Sequence, residues 1–255
     1  GTEREAIMLY DLTDPGSLLS RVAAAHRPPR KAGKPQESRE VSYRDYAALN
    51  RPGQRGALTV RCADPAAAVT TLQVDQHRLC RDGYSYYTSA RLQCRSDSVC
   101  SLQSWEVESK VALAADQPAA LGSGMKKTGS VDGDRVRIRT GEALSEWDIP
   151  GPVTAKWCLL AAVPRLPAEQ GTRIDFSMLD EYDQPTAGHR VDFRETLDVT
   201  TASGDLPVRC YQHTGPGVIP ALFCVGPSGD VLYYVSGVQL LVLTGRDGRE
   251  ASLDL

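Results

Sequence analysis

Apolar residues recur at every second position through most of this chain, and that period limits what it can fold into. The stretch 101–113, SLQSWEVESKVAL, shows it most clearly. Trp105, Val107, Val111 and Leu113 fall on one side, with Glu106, Glu108 and Lys110 on the other. Successive side chains of a strand point to opposite faces, so the pattern predicts a sheet with one buried and one wet face. The same rhythm runs through ALTVRC at 57–62, TTLQVDQHRLC at 70–80 and the aromatic-rich YSYYTSARLQC at 84–94. It returns in RIDFSML at 173–179, HRVDFRETLDVTT at 189–201, LPVRCYQ at 206–212, IPALFCV at 219–225 and DVLYYVSGVQLLVLT at 230–244. Turn signals separate these runs: RDG at 81–83, Asp132-Gly133 within the hairpin pattern of 122–140, and PSGD at 227–230. The count is about ten to twelve strands, with connections short enough for antiparallel hairpins.

Trp147–Pro167, WDIPGPVTAKWCLLAAVPRLP, interrupts the rhythm. KWCLLAAV is apolar nearly all round, and a helix without a polar face must be covered on more than one side. The spacing predicts a helix over 154–163, with Thr154 as N-cap and Pro164 as its stop. The expected fold is therefore mainly β: a strongly curved antiparallel sheet, an open half-barrel, wrapped round one central helix.

The first 56 residues read differently. Leu18, Leu19, Val22 and Ala23 share a helical face behind Asp14 or Thr13 as cap and Pro15 in the first turn. HRPPRKAGKPQESRE at 26–40 carries three prolines and several cations, which suits a linker or surface arm. Tyr43, Tyr46 and Leu49 suggest one short helical turn. Residues 1–56 are thus expected to form a helical and extended N-terminal segment, and 57–255 a single β domain.

Seven cysteines bear on compartment. None forms a CxxC pair and no two histidines have zinc-ligand spacing, so no metal site is expected. Cys94 and Cys100 bracket a turn, and Cys210 and Cys224 flank the loop at 213–218. Both are reasonable cross-strand disulfide candidates, with Cys62 and Cys80 the remaining pair and Cys158 left over. The other reading is a set of reduced, buried thiols. Disulfides imply an oxidising compartment, periplasmic or extracellular, with a leader peptide already removed.

Composition excludes several function classes. A formal charge of -3 gives no electrostatic footprint for nucleic acid. No apolar run reaches the roughly 20 residues of a membrane-spanning helix. Cys158 with His189 or His213 is the one thiol–imidazole pairing the sequence permits, but KWCLL places that thiol in apolar surroundings that suppress the thiolate. Glu106 and Glu108 share a strand face, and Asp180, Glu181 and Asp183 share a loop. Both read as solvated carboxylates before they read as a glycosidase pair or a calcium loop. GSGMKKTG lacks the spacing of a phosphate loop and precedes a strand. No catalytic residue or cofactor is assigned.

The element order, with a short Trp- and Leu-bearing helix ending in PRLP and a closing FCVGPSGDVLYYVSGVQLLVL, resembles a group of uncharacterised secreted bacterial proteins. The resemblance spans residues 57–245. It implies an open half-barrel similar in outline to the periplasmic lipoprotein carriers, and fixes no function. A curved sheet holding an apolar helix can keep a cleft for a lipid or other apolar small molecule. The residues expected to line it are Tyr84, Tyr86, Trp105, Trp147, Trp157 and Tyr233. Two other readings stand beside this one: a cell-envelope interaction module that holds a protein partner through sheet edges or the N-terminal arm, and a hydrolase with an unrecognised site. Oligomeric state is left open.

Overall fold

The computed structural model describes residues 20, 22–28, 41–50, 54–63, 67–79, 84–113, 124–180, 182–236, 239–247, 249–250 and 252–253. The strands in chain order begin with β1 (His26–Arg27), β2 (Val41–Asn50), β3 (Gln54–Ala63), β4 (Val69–Leu79), β5 (Tyr84–Arg95) and β6 (Leu102–Leu113). Then come β7 (Met125–Asp132), β8 (Arg135–Thr140), β9 (Ala143–Asp148) and the two-residue β10 (Val153–Thr154). A short helix, α1 (Lys156–Ala162), runs into a 3-10 turn at Val163–Arg165. The second half supplies β11 (Arg173–Asp180), β12 (Gln184–Thr201), β13 (Gly204–Thr214), β14 (Ala221–Val225), β15 (Val231–Ser236) and β16 (Gln239–Arg246). The short strands β17 (Arg249–Glu250) and β18 (Ser252–Leu253) come last.

Two meanders meet in one large sheet, ordered β10 through β16, then β2 through β9. Every neighbour is consecutive in sequence except the pair β16–β2, whose register runs from Gln239 opposite Asn50 to Arg246 opposite Arg44. All of these pairings are antiparallel apart from β10–β11. Laid flat, such a sheet would separate its edges β9 and β10 by roughly 65 Å. Only residues 149–152 connect those edges, and a link of that length reaches at most about 19 Å. The sheet must therefore curl until its edges face each other. It is an up-and-down meander closed at β16–β2 and left open at the β9–β10 seam, which is a half-barrel.

The chain turns inward at that seam. Ile149 N–H donates to the Asp134 carbonyl at one edge, and Ser177 N–H donates to the Pro152 carbonyl at the other. Trp157, Cys158, Leu159, Leu160 and Ala162 of α1 are all buried. Four contacts of α1 and its flanks identify the concave face of the sheet: Cys94 against Cys158, Tyr234 under Lys156, Arg209 reaching Pro164, and Tyr211 donating to the Leu166 carbonyl.

Several expectations are corrected. The helix is too small to serve as a centre for the sheet to wrap round, because α1 has seven residues and Trp147–Pro167 divides among β9, β10, α1 and the 3-10 turn. Thr154 is not the N-cap. It belongs to β10 and gives its hydroxyl to the Val99 carbonyl, while Ala155 occupies the cap position without a side-chain bond. Pro164 does mark the stop: the α-helix ends at its C-cap Val163, the residue before the proline, and the chain continues only as one 3-10 turn. Tyr43, Tyr46 and Leu49 lie in β2, not in a helical turn, so the sheet begins at residue 41 rather than 57. Most of the remaining 1–56 segment lies outside the described residues.

The strands β14, β15 and β16 are buried along almost their whole length, on both faces. The concave face meets α1 and its flanks. Cover for the other face comes from the N-terminal segment: His26 is buried, its Nδ1 pairs with the Tyr233 hydroxyl at 2.8 Å, and its Nε2 donates to the Leu243 carbonyl at 2.7 Å. His26 and Arg27 pair in turn with Leu253 and Ser252 of β18.

A cleft at the open end of the half-barrel

On the concave face, strands β4, β5 and β6 change character at one common level. Near α1 they present Leu72 and Val74, Ala90 and Leu92, and Trp105 and Val107, all buried. One step further the register aligns Gln76, Thr88 and Ser109, with the two hydroxyls 3.4 Å apart. Beyond them come Arg78, Tyr86 and Val111. The helix covers only the first level. Over the outer two lies a cleft of about 510 Å³, bounded by Tyr86, Val107, Val111, Met125 and Trp157 as apolar wall. Leu179, Asp180, Tyr182 and Asp183, at the β11–β12 end, close its far side. This volume lies in the range of ordinary small-molecule sites.

Charge also enters the lining, as Arg78, Lys127 and Lys156 with Asp180 and Asp183. Lys127 is bridged to Asp183, and Lys156 donates to the Gln239 side-chain oxygen while its Nζ sits 4.7 Å from the Tyr234 ring centre. Tyr182 is a strained position: it holds a left-handed φ of 59° without being glycine, and its ring lies 5.2 Å from that of Trp157. Its hydroxyl is buried with no hydrogen-bond partner among the described residues, and burial holds its pKa well above the usual phenol range.

Of the six residues expected to line a cleft, two do so: Tyr86 and Trp157. Tyr84 is exposed on the same strand face one step further out, beyond the cleft lining. Trp105 is core, paired opposite Leu92 and Gly129, and its ring occupies the space where a Cβ on residue 129 would lie. Trp147 sits half-buried on the edge strand β9 against Val136. Tyr233 points to the opposite face, onto His26. The sequence reading missed Gln76, Arg78, Ser109, Lys127, Lys156 and Tyr182. For Gln76, Arg78, Ser109 and Lys127 the available signal was polar residues at strand positions whose period marks them as inward; Lys156 on the helix and Tyr182 in a turn carried no such signal.

The cysteines also rearrange. Cys62, Cys94, Cys100, Cys158, Cys210 and Cys224 are free thiols, and Cys80 lies outside the described residues, as does any pairing with Cys62. Cys62 contacts the Thr70 hydroxyl at 3.3 Å. Cys94 meets Cys158 instead of Cys100, at 3.6 Å between sulfurs, while the Cys100 sulfur receives Arg165 Nη2 at 2.7 Å. Burial pushes the Cys100 thiol up to about 12 despite Arg165. Cys210 and Cys224 are directly opposed across β13 and β14, 3.9 Å apart and unbonded.

The other candidate chemistries disperse. His189 and His213 bond each other, Nδ1 to Nε2 at 3.1 Å, under Phe176 and not at Cys158. Glu106 and Glu108 pair with Lys126 and Lys110 on the outer face. Asp180 and Asp183 line the cleft, Glu181 lies outside the described residues, and no group of three metal-type ligands occurs among those described. No described helix is long and apolar enough to cross a membrane.

This geometry belongs to the class of barrel-like antiparallel β proteins. Among solved structures, the chain is similar to a beta-barrel-like protein of the domain of unknown function DUF1849 from Brucella abortus. The TM-score is 0.55 at 10% identity, over 82% of this chain and 98% of that one. A DUF1089 family protein from Pseudomonas aeruginosa aligns over 83% of this chain and 97% of its own at 15% identity, with a TM-score of 0.37. The first likeness shows the fold alone, and the second is too low to carry an argument. No family model matches the sequence, and no curated protein matches it.

Proposed function

We propose that this protein binds an apolar or amphiphilic small molecule of the lipid class in the cleft beside α1, in the periplasm or outside the cell. The observation that carries the reading is the uncovered outer half of the concave face. About 510 Å³ is bounded by Tyr86, Val107, Val111, Met125 and Trp157, and the same lining holds the charged groups of Arg78, Lys127, Lys156, Asp180 and Asp183. An apolar chain would lie along that wall, releasing water from it at about 25 cal/mol per Å² of apolar surface covered. Its polar end would meet those charged groups. No bond to the ligand need be made or broken, so the reading is one of carriage and not catalysis.

Native mass spectrometry of protein isolated from its own host checks this directly: a carried lipid adds discrete mass that denaturation removes. Titration with an anilinonaphthalene sulfonate probe supplies the second measurement. Val111→Trp, which fills the cleft from the wall at a half-buried position, is expected to weaken probe binding at least tenfold while circular dichroism stays unchanged. Unchanged probe affinity in that variant would reject the site.

One observation favours a second reading, a protein partner in the cell envelope. Strand β9 is the outermost strand of its side of the sheet and almost entirely exposed, and such an edge can accept an added strand.

A further inference from the structure

We propose that Cys94 and Cys158 form a disulfide that fastens α1 to the β5 wall of the half-barrel. The two residues lie 64 apart in sequence, on elements with no chain connection nearby, yet their sulfurs are in van der Waals contact at 3.6 Å. Both side chains are fully buried. Closing that contact to a bond of about 2 Å brings the sulfurs about 1.5 Å nearer each other. Among the described residues, the other cysteines have contacts of their own. The Cys100 sulfur is held by Arg165, the Cys62 sulfur lies against Thr70, and Cys210 faces Cys224. The bond would also bear on the cleft, because Trp157, the helix residue of the cleft wall, is the immediate neighbour of Cys158. It stands independently of whether the cleft holds a ligand.

The chemistry is thiol–disulfide exchange with a low-molecular-weight disulfide such as oxidised glutathione. One cysteine thiolate attacks the small disulfide, forming a mixed disulfide and releasing one glutathione thiolate. The second cysteine thiolate attacks the protein-bound sulfur and releases the other. Two protein thiols become one disulfide, oxidised glutathione becomes two molecules of reduced glutathione, and the two thiol protons pass onto them. In the folded protein, the neighbouring Cys158 sulfur and burial hold the Cys94 thiol far above the ordinary range, so the thiolate is suppressed. Exchange therefore belongs to folding, before α1 seats in the half-barrel. Once formed, the bond is sheltered from soluble reductants.

The test is a non-reducing peptide map of the full chain refolded in a glutathione redox buffer, alkylated and cut with trypsin. The expected product joins Leu92–Arg95, which holds Cys94, to Trp157–Arg165, which holds Cys158. Recovery of Leu92–Arg95 in alkylated form, or joined to the Ser96–Lys110 peptide that holds Cys100, overturns the proposal. The map needs no variant, so a folding defect cannot obscure it. As a second readout, Cys158→Ser is expected to lower the Tm of the oxidised protein by roughly 5–15 °C. Cys100→Ser leaves the cross-linked peptide in place. Loss of that peptide in Cys100→Ser also counts against the pairing.

Discussion

His213 shows how one residue's surroundings set a property of the whole chain. Burial, and then the neighbouring His189, push its pKa down to about 4. Its ring receives or gives the one proton that lies between it and His189, whose other nitrogen meets the Thr186 hydroxyl at 2.8 Å. His189 is lowered too, by burial with an opposing contribution from Asp180. Between pH 6.5 and about 4 the unfolded chain takes up a proton on residue 213 that the folded chain does not. Stability therefore falls as pH drops through that window and levels off below it. The contribution of His213 is on the order of 3 kcal/mol. Urea denaturation at neutral pH and near the lower end of that window is expected to show this loss. His213→Gln is expected to show a flatter profile, with the residual slope carried by His189 and His26. An unaltered profile in His213→Gln would remove the assignment.

At the scale of elements, the cleft arises from the register of β4, β5 and β6. Gln76, Thr88 and Ser109 each stand where an apolar residue is expected at an inward position, and each alone reads as an imperfection in its strand. Aligned by the ladder, they form one polar level across three strands, and α1 stops short of it. The inward parity of Tyr86 and Val111 was legible from the period of two. The alignment was not, because register depends on which residues face each other across hydrogen bonds that sequence does not display. The position of α1 depends on β10. Thr154, fully buried, ties the start of the helix to the Val99 carbonyl in the β5–β6 connection. Thr154→Val keeps the shape and leaves that carbonyl without its donor, so a loss of about 1–3 kcal/mol is expected in chemical denaturation. A loss below about 0.5 kcal/mol would show that water or backbone takes over the bond.

For the molecule as a whole, the decisive contact is between the two ends of the chain. Strand β2 joins β16 to β3, so removing residues 1–56 would split the sheet rather than release an arm. His26 adds a second tie by bonding β15 through Tyr233 and β16 through Leu243. His26→Ala strands a buried hydroxyl and a buried carbonyl together, with an expected cost of roughly 2–5 kcal/mol by denaturant titration. An unchanged midpoint would mean that the N-terminal segment contributes nothing to closing the outer face.

Local alternation and turn residues such as Asp132-Gly133 and PSGD were enough to specify most of the long strands and their antiparallel succession, because each depends only on neighbours along the chain; β9 and β10, next to the helix, were not legible that way. The composition of KWCLLAAV likewise marked a helix that needs cover on all sides. That β2 is a strand at all came from long-range pairing. Tyr43, Tyr46 and Leu49 have the three-residue spacing of a helix face, and the ladders with β16, from the far end of the chain, and β3 override it. Long-range packing also chose which side chains meet, sending Cys94 to Cys158 and Tyr233 to His26. Contacts between distant segments depend on how far the sheet curls, and the short link at 149–152 requires that curl by keeping the β9 and β10 edges within reach of each other, a constraint no single strand carries.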